Sequence, residues 1–209
     1  MIGDQKIQEF LEALSSGQPV PGGGGASALA GALGNSLGRM VGNLTSGKKR
    51  YAEFQEELEV LMKRLDGLQE DFLMLARKDE EVFEPLAQCY RLPAATEEEK
   101  AYKASVMEER LLAASLVPLE LMEKALELME ILEVLAKNGS RMAVSDVGVG
   151  VQMARAALLG AVMNVYINTK SMSDRTKAEE LNSLAGKMAD SGIEKADRIY
   201  ASVITALTE

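Results

Sequence analysis

The chain has no histidine, no tryptophan and a single cysteine in 209 residues. Without histidine, the histidine-dependent nucleophile triads and the Glu-x-x-His di-iron pattern of helical bundles are excluded. One cysteine and no histidine leave no ligand set for zinc, so no metal is expected. Cys89 has no partner for an internal disulfide, which fits a reducing compartment, and it reads as a small core residue. Acid–base chemistry must therefore run on Asp, Glu, Lys, Tyr or bound water. Five Tyr and four Phe offer little for stacking bases, and a net charge of -9 argues against a phosphate-binding face, so nucleic acid is not an expected partner. The opening MIGDQKIQEF lacks the basic start and apolar run of a leader peptide. No stretch reaches the ~18 uninterrupted apolar residues of a membrane helix. The expectation is a soluble, cytoplasmic protein without a membrane partner.

Strand-period alternation is also missing. What is present is helical period. Hydrophobic residues make up 47% of the chain, enough for one well-buried domain over residues 1–209, and no linker divides it. Six helical segments are predicted. The first spans about Gly3 to Ser16, broken by Gly17 and Pro19. PVPGGGGA follows as a turn, and a second helix covers about Ala26 to Thr45. The third runs from about Tyr51 to Arg91, with a kink or short break expected at Pro85. Thr96-Glu97-Glu98-Glu99 is a capping-box start for the fourth, whose seam steps from Ala104 to Leu135 and should bend at Pro118. Asn138-Gly139 stops it. A fifth runs from about Ser145 to Lys170. A sixth, from about Asp174 to Leu207, is carried by Leu181, Leu184, Met188, Ile193, Ile199, Val203 and Leu207. The predicted fold is all-α, a multihelical, bundle-like array with two long helices at its centre.

One seam holds an anomaly. Leu58, Leu61, Leu65, Leu68, Phe72, Leu75, Asp79, Val82, Leu86 and Cys89 step by three and four, and nine of these ten are apolar. Asp79 therefore points where its neighbours place the core. An ionised carboxylate there is costly unless paired, and apolar surroundings push its pKa upward. Such a group is a candidate general base. A salt bridge to a neighbouring helix, or a seam that opens to water at that turn, would also account for it.

The second helix carries Ala26, Ala30, Gly34, Gly38 and Gly42 at every fourth position, with Gly31 beside them. Each interior glycine costs about 1 kcal/mol against alanine, so close approach of another backbone or a ligand must offset the sum. Gly22, Gly23 and Gly24, at its entry, present backbone N–H groups able to hold an anion, or form only a flexible turn. The stretch lacks the Lys-Ser/Thr ending of a phosphate loop and no strand precedes it. Lys48, Lys49 and Arg50 form a cationic island in an acidic protein: a solvated helix start, or a clamp for carboxylates. In the fifth segment Ser145 or Asp146 reads as the N-cap. Asn164 and Asn168 lie on one face and either satisfy each other or address the amide edges of a heterocycle.

Taken in order, PVPGGGGASALAGALGNSLGRMVGNLTSGKKRY, DEEVF, RLPAATEEEK, VPLELME, Asn138-Gly139, VSDVGVGV and MNVYINTKSMSDR resemble the cyclodeaminase/cyclohydrolase family of one-carbon folate enzymes over essentially the whole chain. The family includes serine-cycle methenyltetrahydrofolate cyclohydrolases and the C-terminal domain of formiminotransferase-cyclodeaminase. The resemblance implies an all-helical homodimer that acts on a tetrahydrofolate derivative as substrate and needs no further cofactor. It places the family's proton acceptor, in Asp-x-Glu-x-Phe, on Asp79 of Asp79-Glu80-Glu81-Val82-Phe83. Val82 stands where the family usually has a small residue. Asn138-Gly139-Ser140 departs from the frequent Asn-x-Asn and leaves no second Asn.

On that resemblance the expected reaction is hydrolysis of 5,10-methenyltetrahydrofolate to 10-formyltetrahydrofolate, with Asp79 as base. Lys48 and Lys49 would attract the glutamate tail, and Asn164 and Asn168 would address the pterin. Asp146 would pair with the pterin amino group or merely cap its helix. Two alternatives stand beside this. One is release of ammonia from 5-formiminotetrahydrofolate to give the same methenyl compound. The other is a non-enzymatic, dimeric helical scaffold.

Overall fold

The computed structural model describes residues 5–209. Among them the regular structure is helical throughout: α1 (Ile7–Leu14), α2 (Gly23–Thr45), α3 (Gln55–Cys89), α4 (Glu97–Asn138), α5 (Val144–Lys170) and α6 (Arg175–Thr208). Two short 3₁₀ turns, Lys49–Phe54 and Arg141–Ala143, lead into α3 and α5. The Gly3 start expected for the first helix lies outside the described residues.

The helix ends follow local chemistry. Thr96 accepts the Glu99 N–H at 3.1 Å and the Glu99 carboxylate accepts the Thr96 N–H at 3.0 Å, the reciprocal box expected at the start of α4. Asp174 accepts the Lys177 N–H at 2.9 Å and opens α6. Three boundaries differ from expectation. Gly23, Gly24 and Gly25 form the first turn of α2 and not a loose entry. Tyr51 has φ -114° and ψ 28°, outside helical values, so α3 begins at Gln55 after the 3₁₀ turn. The N-cap of α5 is Ala143 without a side-chain cap, so Ser145 and Asp146 sit inside the first turn and the capping role expected of them fails. α3 and α4 run through Pro85 and Pro118 without a break.

The two central helices are α4 and α5. α5 packs against α2, α4 and α6, while α3 flanks α2 and α4. By length and composition α5 is apolar enough to cross a membrane, yet half of that stretch is buried by its neighbours, as in a core helix. The small-residue ridge of α2 lets helices come close. A Cβ on Gly34 would stand 2.8 Å from the Gly150 carbonyl of α5, and one on Gly31 would strike the Phe72 ring of α3. α6 uses the same device. Its buried stripe is Ala178, Leu181, Ala185, Ala189, Gly192, Ala196, Ile199 and Val203, again stepping by three and four. Leu184 and Leu207, expected in that seam, are exposed because the small residues face the core instead.

Candidate active site

The α3 seam is buried at Leu58, Leu61, Leu65, Leu68, Phe72 and Leu75, and again at Leu86 and Cys89. Between these stretches it opens to a half-buried turn at Asp79 and Val82. That turn lies against the start of α2. The Asp79 carboxylate accepts the Gly25 backbone N–H, and a Cβ on Gly24 would collide with the carboxyl group. Gly22, the N-cap of α2, has no side chain to offer. Asp79 supplies from another helix what a local Ser or Asp usually supplies. The anion expected at the glycine entry is therefore the protein's own carboxylate.

Burial and the neighbouring Glu80 charge push the Asp79 carboxyl up to about 6, against the opposing pull of the Gly25 N–H. An acid tuned so close to neutrality holds both protonation states in reach, which suits proton transfer.

A cavity of about 90 Å³ opens beside it, lined by Gly22, Gly23, Gly24, Asp79, Asn164 and Asn168, with Pro19, Val20, Val82, Phe83, Ala114 and Ile167 completing the walls. Each asparagine is fixed by its amide nitrogen. Asn164 Nδ2 donates to the Gly160 carbonyl at 2.9 Å, one turn back on α5. Asn168 Nδ2 donates to the Ala114 carbonyl at 2.8 Å on α4. That carbonyl is free because its i+4 residue is Pro118, which has no N–H. Only an NH₂ can serve a carbonyl acceptor, so the side-chain oxygens remain for a ligand. With Asp79, the polar wall presents acceptors. It favours a cationic or donor-rich guest held between apolar sides.

The structure thus brings together Asp79, Gly22, Gly23, Gly24, Asn164 and Asn168. It does not bring in Lys48, Lys49 or Asp146. The two lysines follow the far end of α2, which at 23 residues is about 34 Å long. Lys49 lines a separate, open groove of about 520 Å³ with Arg50, Tyr51 and Asn138. Asp146 sits in the first turn of α5, while Asn164 and Asn168 sit near its end, so within one subunit it cannot reach the cavity. Sequence reading named Val82 in the seam and Phe83 in the Asp79–Phe83 motif but assigned neither to the site, although both line it a step of three or four from Asp79. It also missed Ala114, which the Pro118 position marks.

An all-helical array that closes a glycine-entered helix over a tuned carboxylate defines a small-molecule site with an acid at its centre. The chain belongs to the formiminotransferase-cyclodeaminase family, whose model matches residues 6–187. It is 40% identical over 204 residues to the methenyltetrahydrofolate cyclohydrolase of Methylorubrum extorquens, covering 97% of this chain and 98% of that protein. It is 30% identical over 198 residues to the formimidoyltransferase-cyclodeaminase of Gallus gallus, covering 95% of this chain but only 36% of that longer protein. In fold it is similar to the crystal structure of formiminotetrahydrofolate cyclodeaminase from Thermotoga maritima, with a TM-score of 0.82, 26% identity and coverage of 99% of this chain and 98% of that one.

Proposed function

We propose that this chain is a methenyltetrahydrofolate cyclohydrolase, converting 5,10-methenyltetrahydrofolate to 10-formyltetrahydrofolate in the cytoplasm as a homodimer. The observation that carries the reading is Asp79, tuned to about 6 at the head of an acceptor-lined cavity. The guest that such a wall favours is an amidinium cation, and the methenyl bridge between N-5 and N-10 is one.

The chemistry then follows. Water adds its oxygen to the amidinium carbon and gives one proton to Asp79. The neutral carbinol loses its carbon–N-5 bond as N-5 takes a proton, and the carbinol hydroxyl loses its own, leaving the N-10 formyl group and one net proton for solvent. Asn164 and Asn168 hold donor edges of the pterin through their side-chain oxygens, and the Gly22–Gly24 backbone lets the ring approach α2. No metal or organic cofactor enters this scheme. The near-full-length similarity to a cyclohydrolase, at 40% identity, supports hydrolysis over ammonia release. Support for the homodimer comes from an exposed apolar face on α2 and α5, where Leu33, Met40, Val149, Met163 and Ile167 are 50%, 38%, 48%, 63% and 61% accessible.

The test follows loss of the methenyl chromophore with purified protein, beside an assay of ammonia release from 5-formiminotetrahydrofolate. Turnover of the methenyl compound without ammonia release is expected. Ammonia release with no hydrolysis would assign the cyclodeaminase reaction instead, and inertness toward both would leave a scaffold.

A further inference from the structure

We infer that Pro118, which does not line the cavity, is a positioning residue for the ligand: by leaving the Ala114 carbonyl without a helical donor it claims the Asn168 amide nitrogen and turns the Asn168 oxygen toward the guest. This rests on the folate reading above and deepens it, because it fixes the kind of edge the ring must offer at that point.

Two prolines lie inside long helices, and they have different consequences. Pro85 of α3 orphans the carbonyl of Glu81, an exposed residue, where water can serve it. Pro118 of α4 is buried and orphans the carbonyl of Ala114, which is 3% exposed. A buried carbonyl without a partner is costly, so this one must be met by a donor from another element. Asn168 Nδ2 meets it at 2.8 Å, across 54 residues of sequence. Asn168 is itself buried, and no other donor among the described residues reaches that carbonyl.

The two asparagines of the wall differ in the same respect. Asn164 Nδ2 donates at 2.9 Å to the Gly160 carbonyl, which lies inside α5 and already accepts the Asn164 backbone N–H of the helical ladder. Losing that side-chain bond strands no carbonyl. Turning the Asn168 amide over would strand a buried carbonyl and set the Asn168 oxygen against the Ala114 oxygen. Of the two, Asn168 is the one held by necessity. Among the described residues no donor reaches its oxygen, and the side chain lines the cavity together with Asp79. The position opposite it calls for a ring N–H or an amino group. A carbonyl edge in the same place would be rejected by two facing oxygens. Selection at this wall is thus set on α4, one turn beyond Ala114, by a residue that meets no ligand.

A double-mutant cycle on the full chain, read by urea melts without ligand, tests this. Asn168→Ala leaves the Ala114 carbonyl unmet, and Pro118→Ala restores the backbone N–H that would meet it. Adding Pro118→Ala should therefore recover part of the unfolding midpoint that Asn168→Ala loses, and should be less favourable in the wild-type background. Equal effects of Pro118→Ala in both backgrounds would mean that the proline only fills space, and overturn the proposal. Kinetics with 5,10-methenyltetrahydrofolate give the second readout. Pro118→Ala alone should raise KM about 3–10-fold, the contribution of one oriented hydrogen bond, with kcat within about twofold because Asp79 is untouched. In the Asn168→Ala background the same change should leave KM unmoved, and a rise of equal size there overturns the proposal. Should Pro118→Ala not fold, the wild type answers alone. The Asn168 side-chain NH₂, identified in ¹⁵N spectra by its loss in Asn168→Ala, should exchange slowly with solvent, and rapid exchange overturns the link to Ala114. Coupling in the melts with a wild type inert toward methenyltetrahydrofolate sinks the folate reading and sustains the role of Pro118. Turnover without coupling does the reverse.

Discussion

The two ends of α2 are built on opposite terms. At its start, Gly22–Gly25 carry no side chains, and the first turn is held by a carboxylate from α3. At its end, Thr45 is fully buried and satisfied. Its hydroxyl donates to the Val41 carbonyl at 2.7 Å and accepts the Ser140 N–H at 2.8 Å. The first end keeps an ionisable group half-buried and short of partners. The second satisfies its buried hydroxyl and is followed by the exposed cations Lys48–Arg50. The difference is that between a place arranged for chemistry and one arranged for stability, on a single helix. Substitutions at the two ends should therefore separate activity from stability.

The largest effect is expected from Asp79→Asn. Turnover should fall by roughly 10²–10⁴-fold, the range for removing a positioned base. The side-chain oxygen of Asn can still accept the Gly25 N–H, so helicity by circular dichroism should be unchanged. Near-normal turnover would remove Asp79 from the mechanism. Gly24→Ala comes next. Its methyl would displace the carboxyl group, so a loss of about 10–100-fold in kcat is expected with about 1–3 kcal/mol of overpacking strain. If Gly24→Ala destabilises but leaves kcat intact, the close approach serves packing alone.

Much of this contrast was legible in the sequence, through different signals. The misplaced Asp79 emerged because one carboxylate interrupted a ten-residue apolar seam. The six helices emerged from period and punctuation. The joining of Asp79 to the glycine helix was expected from the tight cleft that the glycines imply and from the family resemblance, but helical period alone does not specify a contact between helices so far apart in sequence. The position of the lysines was hidden for a related reason. Lys48 follows the glycine helix closely in sequence, but about 34 Å of helix separates it from the glycine entry. In α6 the reading favoured Leu184 and Leu207 by size, whereas Ala185, Ala196 and Gly192 allow the closer packing and take the core face.

At the other end, Thr45→Val should behave in the opposite way. The isosteric change strands the buried Ser140 N–H, at a cost of about 1–3 kcal/mol, while the cavity lies a helix length away. Denaturant melts should shift accordingly, and kcat at a temperature where the variant is folded should stay within about twofold of wild type under the additivity of distant sites. A variant that loses turnover without losing stability would show the two ends to be coupled.

The smallest effect is also the most specific. A carboxyl held at about 6 in the folded chain, against an ordinary value of 3.8, favours the protonated form. Its contribution is most favourable below the unfolded value and is lost as pH rises through about 6, so at neutral pH the ionised group destabilises the fold. Allowing for its partial contact with water, the penalty is about 1–2 kcal/mol. Asp79→Asn should then be more stable than wild type at pH 7.5, and that advantage should shrink as pH falls below about 6. Turnover by the wild type should run the other way, falling as pH drops through the same range because the base becomes protonated. Paired urea melts and initial rates between pH 5 and pH 8 measure both. A stability difference that does not vary with pH would mean that Asp79 is poised by its hydrogen bond to Gly25 and not by burial. The distinction between the two ends of α2 would then rest on geometry alone.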